Sequence, residues 1–259
     1  MPFTLCHPAL VIPLHRYARQ VTSLPALVIG SMAPDFAYFF SLGVSGSFTH
    51  TPLGVPVYCV PAGLLVYLIY HTLLRQPVLA WLPRTIGARM AAPVPWPLDS
   101  VRAVAIVLVS LAIGAASHIF WDSFTHANTM IVTSDSVLRT LVSVGGYRIP
   151  LFKILQQLSS LVGFFVIATC VVAWIRRTEP AADHQGQLST RGKVLALGAV
   201  LASGVIGGTA ALFYRHAASI EHGLFNFVVT GMAGATIAIV VLCIGWQMNH
   251  RQLVTRGDQ

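Results

Sequence analysis

Five apolar stretches, each about 20 residues long, constrain this sequence more than any other feature. They cover residues 55–74, 101–121, 155–175, 194–213 and 225–246. About 20 mostly apolar residues are needed for a helix to cross the hydrocarbon core of a bilayer. Only 9% of the 259 residues are charged, whereas a soluble domain has roughly 25%. The sequence therefore predicts an all-α integral membrane protein with about five transmembrane helices, and it excludes an ordinary soluble enzyme.

The first 54 residues do not fit the same pattern. Residues 21–42 are apolar enough for a sixth span, but they contain Pro25, Gly30, Pro34 and Asp35. Proline removes a backbone donor, so a straight, lipid-exposed helix is disfavoured there. We expect a re-entrant or interfacial pair of short helices, broken near residues 31–34, within a single membrane domain that covers 1–259. The segment lacks the basic start and the cleavage site of a signal peptide.

The Lys and Arg residues predict the orientation of the spans. Ten of the 16 follow the first, third and fifth spans: Arg75, Arg84, Arg89, Arg102, Arg176, Arg177, Arg191, Lys193, Arg251 and Arg256. The positive-inside rule then places the N-terminal segment outside and the C-terminus in the cytoplasm. The net charge of +8 is therefore a membrane signature and does not indicate nucleic-acid binding.

The second span ends in a polar sequence, Ser-His-Ile-Phe-Trp-Asp-Ser-Phe-Thr-His, over residues 117–126. His118 and Asp122 are four residues apart, so on a helix they share one face, about 6 Å apart along the axis. This spacing suits two ligands of one divalent metal ion. His126 is a further turn away, so either the helix breaks near Thr125 or His126 serves a second ion.

His7, Asp35 and His50 would complete such a site. They can converge with His118 only if residues 21–42 do not cross the bilayer, because a crossing would separate His7 from His50. Imidazole and carboxylate suit a divalent metal ion, with zinc the first choice, as one or two ions. Asp35 and Asp122 are also the candidate catalytic residues, because an ionised carboxylate at membrane depth is costly unless it is paired or bound to metal.

Each of these residues also has a structural interpretation. His118 and Asp122 can be an interhelical hydrogen-bonded pair, and Asp35 after Pro34 can begin a helix. His50 can cap the first span, and His7 can be an interfacial residue. The glycines Gly204, Gly207 and Gly208 are predicted to allow close helix packing rather than to bind a ligand.

Four segments together resemble an uncharacterised bacterial membrane family, the domain-of-unknown-function family number 4184. They are the head Met-Pro-Phe-Thr-Leu-Cys-His-Pro, residues 30–36 (Gly-Ser-Met-Ala-Pro-Asp-Phe), residues 48–51 (Phe-Thr-His-Thr) and residues 117–126. The resemblance covers essentially the whole chain and implies residence in a bacterial cytoplasmic membrane. It does not bring an established function.

The order His, Pro-Asp, His, His-x-x-x-Asp, His is also similar to that of predicted membrane-bound metal-dependent hydrolases and the zinc-dependent phospholipase C and nuclease group. Carried over by order, the metal ligands would be His7, Asp35, His50, His118, Asp122 and His126. Those soluble enzymes also use an N-terminal Trp and a second His-x-x-x-Asp/Glu pair. This chain begins Met1-Pro2 and has no such second pair after His126, which favours a mono- or dinuclear site.

The function predicted is metal-dependent hydrolysis of a lipid or lipid-linked phosphoester at the outer face. Arg139, Arg148 and Lys153 are the candidate substrate-binding residues, because phosphate oxygens favour cationic partners. Two alternatives remain open. One is a transporter coupled to protons or divalent cations, and the other is a non-catalytic membrane scaffold subunit.

Overall fold

The computed structural model describes residues 3–40, 43–90, 98–135, 137–181, 188–214 and 219–257. Helices dominate, in the order α1 (Pro8–Tyr17), α2 (Leu24–Gly30), α3 (Phe36–Phe40), α4 (Gly46–Thr49), α5 (Val55–Trp81), α6 (Arg84–Met90), α7 (Val101–Thr125), α8 (Met130–Ser134), α9 (Leu151–Arg177), α10 (Thr190–Tyr214) and α11 (Ile220–Gly257). Short 3-10 turns cover Thr4–Cys6 and Ala33–Asp35, and α5 contains π turns at Val55–Cys59 and Tyr70–Leu74. Strands β1 (Leu141–Val144) and β2 (Tyr147–Pro150) form an antiparallel hairpin.

The structure has five segments long and apolar enough to cross a membrane: Val55–Trp81, Val101–Ser134, Leu151–Arg177, Thr190–Tyr214 and His222–Asn249. Each contains one of the five stretches expected from the sequence. The predicted fold class, an all-α membrane protein with about five spans and a broken N-terminal segment, is therefore confirmed. The helices extend beyond the apolar stretches, because α-helix continues into the polar ends that a hydropathy count leaves out.

The N-terminal segment breaks where the sequence predicts. Pro25 is accommodated in the first turn of α2, where its missing N–H costs no hydrogen bond. The helix ends at Gly30, and Pro34 then lies within the 3-10 turn Ala33–Asp35. This turn carries Asp35, which is completely buried. The proline and glycine thus replace a continuous span with short helices.

The chain divides into two compact units. The first comprises Met1–Ala37, Leu42–Tyr67 and Val94–Arg177, and the second Tyr38–Ser41, Leu68–Pro93 and Thr178–Gln259. In the first unit α2 packs on the middle of α7, and apolar side chains including Ala26, Leu111 and Tyr67 form its core.

Helices α2 and α7 approach until their backbones touch. A Cβ atom on Gly114 would lie 2.4 Å from the carbonyl oxygen of Leu27, and one on Gly30 would lie 2.3 Å from that of Leu111. Only glycine fits at such positions, and small residues are the usual means of close helix packing in membranes. This crossing brings the end of α2 against the α7 face that carries His118.

In the second unit α10 and α11 pack closely along small residues. A Cβ on Gly207 would lie 2.8 Å from the carbonyl oxygen of Thr230, and one on Gly208 would lie 2.8 Å from the Phe227 ring. The interpretation of Gly204, Gly207 and Gly208 as packing residues is therefore confirmed.

Candidate metal centre

Six side chains from four separate segments of the first unit meet in one buried cluster, which we call the His/Asp cluster: His7, Asp35, His50, His118, Asp122 and His126. The Nε2 atom of His118 lies 3.3 Å from Asp122 Oδ2 and 3.7 Å from Asp35 Oδ1. The rings of His7 and His118 are stacked with their centroids 3.7 Å apart. Residues separated by more than a hundred positions are thus in contact.

Two members of the cluster lie on the same local sequence, Ser-Phe-Thr-His, which occurs at residues 47–50 and 123–126. In each case the helix ends at the threonine, and the histidine is the C-cap residue. Nδ1 lies 2.7 Å from the Gly46 carbonyl oxygen in His50 and 3.2 Å from that of Asp122 in His126. Because a carbonyl only accepts, Nδ1 must donate, which satisfies a carbonyl left open at the helix end.

His118 is oriented in the same way, but by a different segment. Its Nδ1 donates to the carbonyl oxygen of Ser31 over 2.7 Å. Ser31 is free to offer this oxygen because α2 ends at Gly30. The donated proton fixes the tautomer, so Nε2 carries the lone pair and faces the two carboxylates. Metal-bound histidines are generally held by this kind of outer hydrogen bond.

Four donor atoms of the cluster lie close to one another. They are Nε2 of His50 and His118, Oδ1 of Asp35 and Oδ2 of Asp122, and the four nitrogen–oxygen separations are 3.4, 3.7, 3.7 and 3.3 Å. Ligands bound to zinc at about 2.0–2.2 Å lie about 3.3–3.6 Å apart at the corners of a tetrahedron. The four separations are close to this range, and the donor types suit a divalent ion such as zinc.

His7 faces the other oxygen of the same carboxylate. Its Nε2 lies 3.5 Å from Asp122 Oδ1, whereas His50 and His118 face Oδ2. His7, His118 and Asp122 each offer a ligand atom within 4.8 Å of the others, as do Asp35, His50 and His118. The two groups share His118, and one imidazole nitrogen binds one ion, so His118 could serve only one of the two groups at a time.

Hydrogen bonding leaves several of these buried atoms without a partner among the described residues. They are Nδ1 and Nε2 of His7, Oδ1 of Asp35, Nε2 of His118 and Oδ1 of Asp122. Buried polar atoms are normally paired, and leaving one unpaired costs about 1–3 kcal/mol. A cation bound among these atoms would satisfy the inward-facing nitrogens and oxygens together. The residues of the cluster therefore fit a metal ion.

The protonation states of Asp35 and His7 also suit a cation site. Burial acts to raise the pKa of Asp35, but His50, His118 and the Thr4 hydroxyl outweigh it and hold that pKa below its usual value. Burial and the neighbouring His118 lower the pKa of His7 to about 4, so its imidazole is neutral at neutral pH. In the described part of the chain, the ion-pair partners of Asp35 and Asp122 are all histidines.

Exposure is uneven across the cluster. The side chains of His118 and Asp35 are 0% exposed, whereas those of His50 and His126 are 19% and 28% exposed. Two alternatives were expected for His126: a helix break near Thr125, or a second ion. Helix α7 does end at Thr125. His126 Nδ1 then lies 3.6 Å from Asp122 Oδ2.

The three predicted substrate-binding cations lie in and beside the hairpin. Arg139 donates to the carbonyl oxygens of Val132, over 3.0 Å, and Ala127, over 3.5 Å. Arg148 is on β2 opposite Ser143, and Lys153 is in the first turn of α9. All three are exposed. Their role as phosphate ligands stays a prediction.

Three groups that support the cluster were not predicted from the sequence. Thr4 donates to Asp35 Oδ2 over 2.6 Å, and the carbonyls of Ser31 and Gly46 orient His118 and His50. The repeated Ser-Phe-Thr-His sequence could have indicated the Gly46 carbonyl. In both copies the histidine caps a helix and bonds the carbonyl oxygen four residues before it. The Ser31 carbonyl has no side-chain signal at all.

No curated protein and no solved structure matches this chain significantly. One family model does match, over residues 1–244, which include every member of the His/Asp cluster. The chain therefore belongs to the family described as Domain of unknown function (DUF4184).

Proposed function

We propose that this protein is a membrane-embedded, metal-dependent hydrolase that cleaves a lipid or lipid-linked phosphoester. The observation that carries the proposal is the 3.3–3.7 Å spacing between Nε2 of His50 and His118 and the carboxylates of Asp35 and Asp122. Two of these atoms, His118 Nε2 and Asp35 Oδ1, are also buried and have no hydrogen-bond partner among the described residues. A divalent ion in such a site lowers the pKa of bound water and polarises a phosphoryl oxygen. Zinc suits this donor set best, as one or two ions.

The residues of the cluster would position the ion and accept the proton of the attacking water. His50, His118 and Asp35 hold the site in place through their outer hydrogen bonds to Gly46, Ser31 and Thr4. Hydrolysis adds a water oxygen to phosphorus, breaks the phosphorus–oxygen ester bond and releases the alcohol. We assign the water proton to Asp122 Oδ1, which is buried and which no described residue hydrogen-bonds. The same carboxyl would then return the proton to the oxygen of the leaving alcohol.

The surroundings of the cluster support hydrolysis over transport. The buried positions of α7 between Ser110 and His118 are Leu111, Gly114 and Ala115, and none of them can carry a proton or a cation. The titratable groups are thus grouped at one end of the helix. The positive-inside rule assigns that end to the outer face of the bacterial cytoplasmic membrane, so we propose that the substrate arrives from the lipid on that side.

The first test is the metal content of the purified, detergent-solubilised protein. We expect zinc in the wild type and its loss from His118→Ala and Asp122→Asn, because each variant removes a proposed ligand. His222→Ala is the matched control, since this histidine is exposed and lies on α11. Equal metal content in the wild type and His118→Ala would refute the metal site.

The second test is hydrolysis of alkyl 4-nitrophenyl phosphates, which release a coloured phenolate. Activity should be present in the wild type and in His222→Ala, abolished by a chelator and restored by zinc. A protein that binds zinc in the cluster but hydrolyses none of these esters or phospholipids would contradict the proposed reaction while leaving the metal site intact.

A further inference from the structure

An apolar cavity of about 130 Å³ adjoins the His/Asp cluster in the first unit. It lies between the N-terminal segment, α7 and α9, and its lining includes Cys6, His7, Leu10, Trp121, Gly163 and Val166. Because His7 lines the cavity and also stacks on His118, the cavity begins where the cluster ends. We propose that it binds the part of a fatty-acyl chain nearest the phosphate of the substrate, an inference that rests on the proposed function.

The lining selects for hydrocarbon. Its polar side chains are Ser159, whose hydroxyl already donates to the carbonyl oxygen of Gln156 over 3.0 Å, and His7, at the end that adjoins the cluster. The other lining residues are apolar. An ordered water needs two to four polar partners, and cavities without them stay dry and take apolar guests. A cavity of about 150 Å³ in another protein binds benzene, so this one has room for roughly six carbon atoms of a chain.

The cavity also opens towards the place where a lipid chain would be. Val162 and Leu10 belong to its lining and are 58% and 41% exposed. Val162 is on α9, a helix long and apolar enough to cross the membrane. A chain can therefore extend from the cluster through the cavity into the hydrocarbon, with its phosphate beside His7 and Asp122.

Close backbone contact forms one wall of the cavity. A Cβ on Gly163 would lie 3.0 Å from both Cβ and the carbonyl oxygen of Cys6. A residue larger than glycine there would push the N-terminal segment away from α9. Val166, one turn further along, is a better site for a test, because a larger side chain there fills the cavity without meeting that contact.

The test compares Val166→Phe with Val172→Phe, which places the same ring on an exposed position of the same helix. Both are made in a background whose only tryptophan is the cavity residue Trp121, with phenylalanine at 81, 96, 174 and 246. Brominated alkyl phosphates are added to the protein in detergent, since bromine quenches tryptophan fluorescence on contact. We expect saturable quenching in the parent and in Val172→Phe, and at least tenfold weaker quenching in Val166→Phe.

Hydrolysis of alkyl 4-nitrophenyl phosphates of two to ten carbons gives the second readout. For the wild type, kcat/KM should rise with chain length by up to about fourfold per methylene, and then level off near six carbons. Val166→Phe should flatten this dependence and keep its zinc. Absent quenching, or equal quenching in both variants, would overturn the chain pocket. Quenching that Val166→Phe removes, in a protein without hydrolysis at any chain length, would overturn the proposed function and leave the chain-binding cavity standing.

Discussion

Three histidines of the cluster use Nδ1 for a hydrogen bond to a carbonyl, and in His50 and His118 Nε2 faces the carboxylates of Asp35 and Asp122. His50 and His126 donate Nδ1–H to the carbonyl four residues before them, and His118 donates to Ser31. A histidine at a helix C-cap thus performs two tasks at once, because it satisfies the open carbonyl and points its other nitrogen away from the helix. The tautomers of His50, His118 and His126 are therefore set by the backbone before any ion binds.

Asp35 has an equally specific partner in Thr4. The Thr4 hydroxyl donates to Oδ2 over 2.6 Å, leaving Oδ1 to face His50 and His118. We expect Thr4→Val to weaken zinc binding about 10- to 100-fold, the usual cost of losing an outer-shell partner. A competition titration against a chromophoric chelator measures the change.

Two controls belong to the Thr4→Val experiment. Thr4→Ser keeps the hydroxyl and should bind zinc within a few-fold of the wild type. Thr209→Val removes a hydroxyl that donates to the Val205 carbonyl within α10, and it should have no effect on zinc binding. Unchanged affinity in Thr4→Val would mean that Asp35 is not held through this hydrogen bond, or is not a ligand.

The side chains of the cluster could be predicted, but their supports could not. His118 and Asp122 follow from i, i+4 spacing, and Asp35 from a carboxylate in apolar sequence. Ser31 acts through its carbonyl, which every residue possesses, so its importance depends on where α2 ends against α7. That crossing is a tertiary contact, and no local pattern specifies its register.

At the scale of elements, the crossing of α2 and α7 is what places Ser31 beside His118. Gly114 and His118 are one turn apart on α7, and a Cβ on Gly114 would also lie 2.6 Å from the backbone nitrogen of Ser31. We expect Gly114→Ala to separate the helices, weaken the bond from His118 to Ser31 and lower zinc content. Overpacking of this kind usually costs about 1–3 kcal/mol, so the apparent Tm should fall as well.

Gly198→Ala on α10 is the matched control for Gly114→Ala. A Cβ there meets nothing within 4 Å, and alanine favours a helix over glycine by roughly 0.5–1 kcal/mol. Its zinc content should equal that of the wild type, and its Tm should stay the same or rise. If Gly114→Ala behaved like Gly198→Ala, the close approach of α2 and α7 would not be what orients His118.

The long helices and the helix break could be predicted from the sequence, but the β-hairpin could not. The five long helices follow from apolar length alone, and the break near Gly30 and Pro34 follows from residues that interrupt helices. The hairpin of β1 and β2 was not predicted. Its turn depends on Gly145 and Gly146, whose φ values of 56° and 85° suit glycine, but its strands are too short and exposed for a periodic signal.

At the scale of the whole molecule, the orientation of the spans decides which compartment the His/Asp cluster serves. The cluster lies at the C-terminal end of α7, and the excess of Lys and Arg after the first, third and fifth spans predicts that this end faces outwards. The same rule assigns the β1–β2 hairpin to the outer face and the segment after α9 to the cytoplasm.

Single cysteines at exposed positions test this orientation, in a background with the four native cysteines replaced by alanine. Ser143→Cys on the hairpin should react with a membrane-impermeant maleimide in intact cells. Ala181→Cys, after α9, should react only once the cells are permeabilised. The reverse pattern would place the cluster on the cytoplasmic side, and the substrate would then have to come from the inner leaflet. Because both positions are exposed in the structure, a difference between them reports the membrane barrier and not burial within the protein.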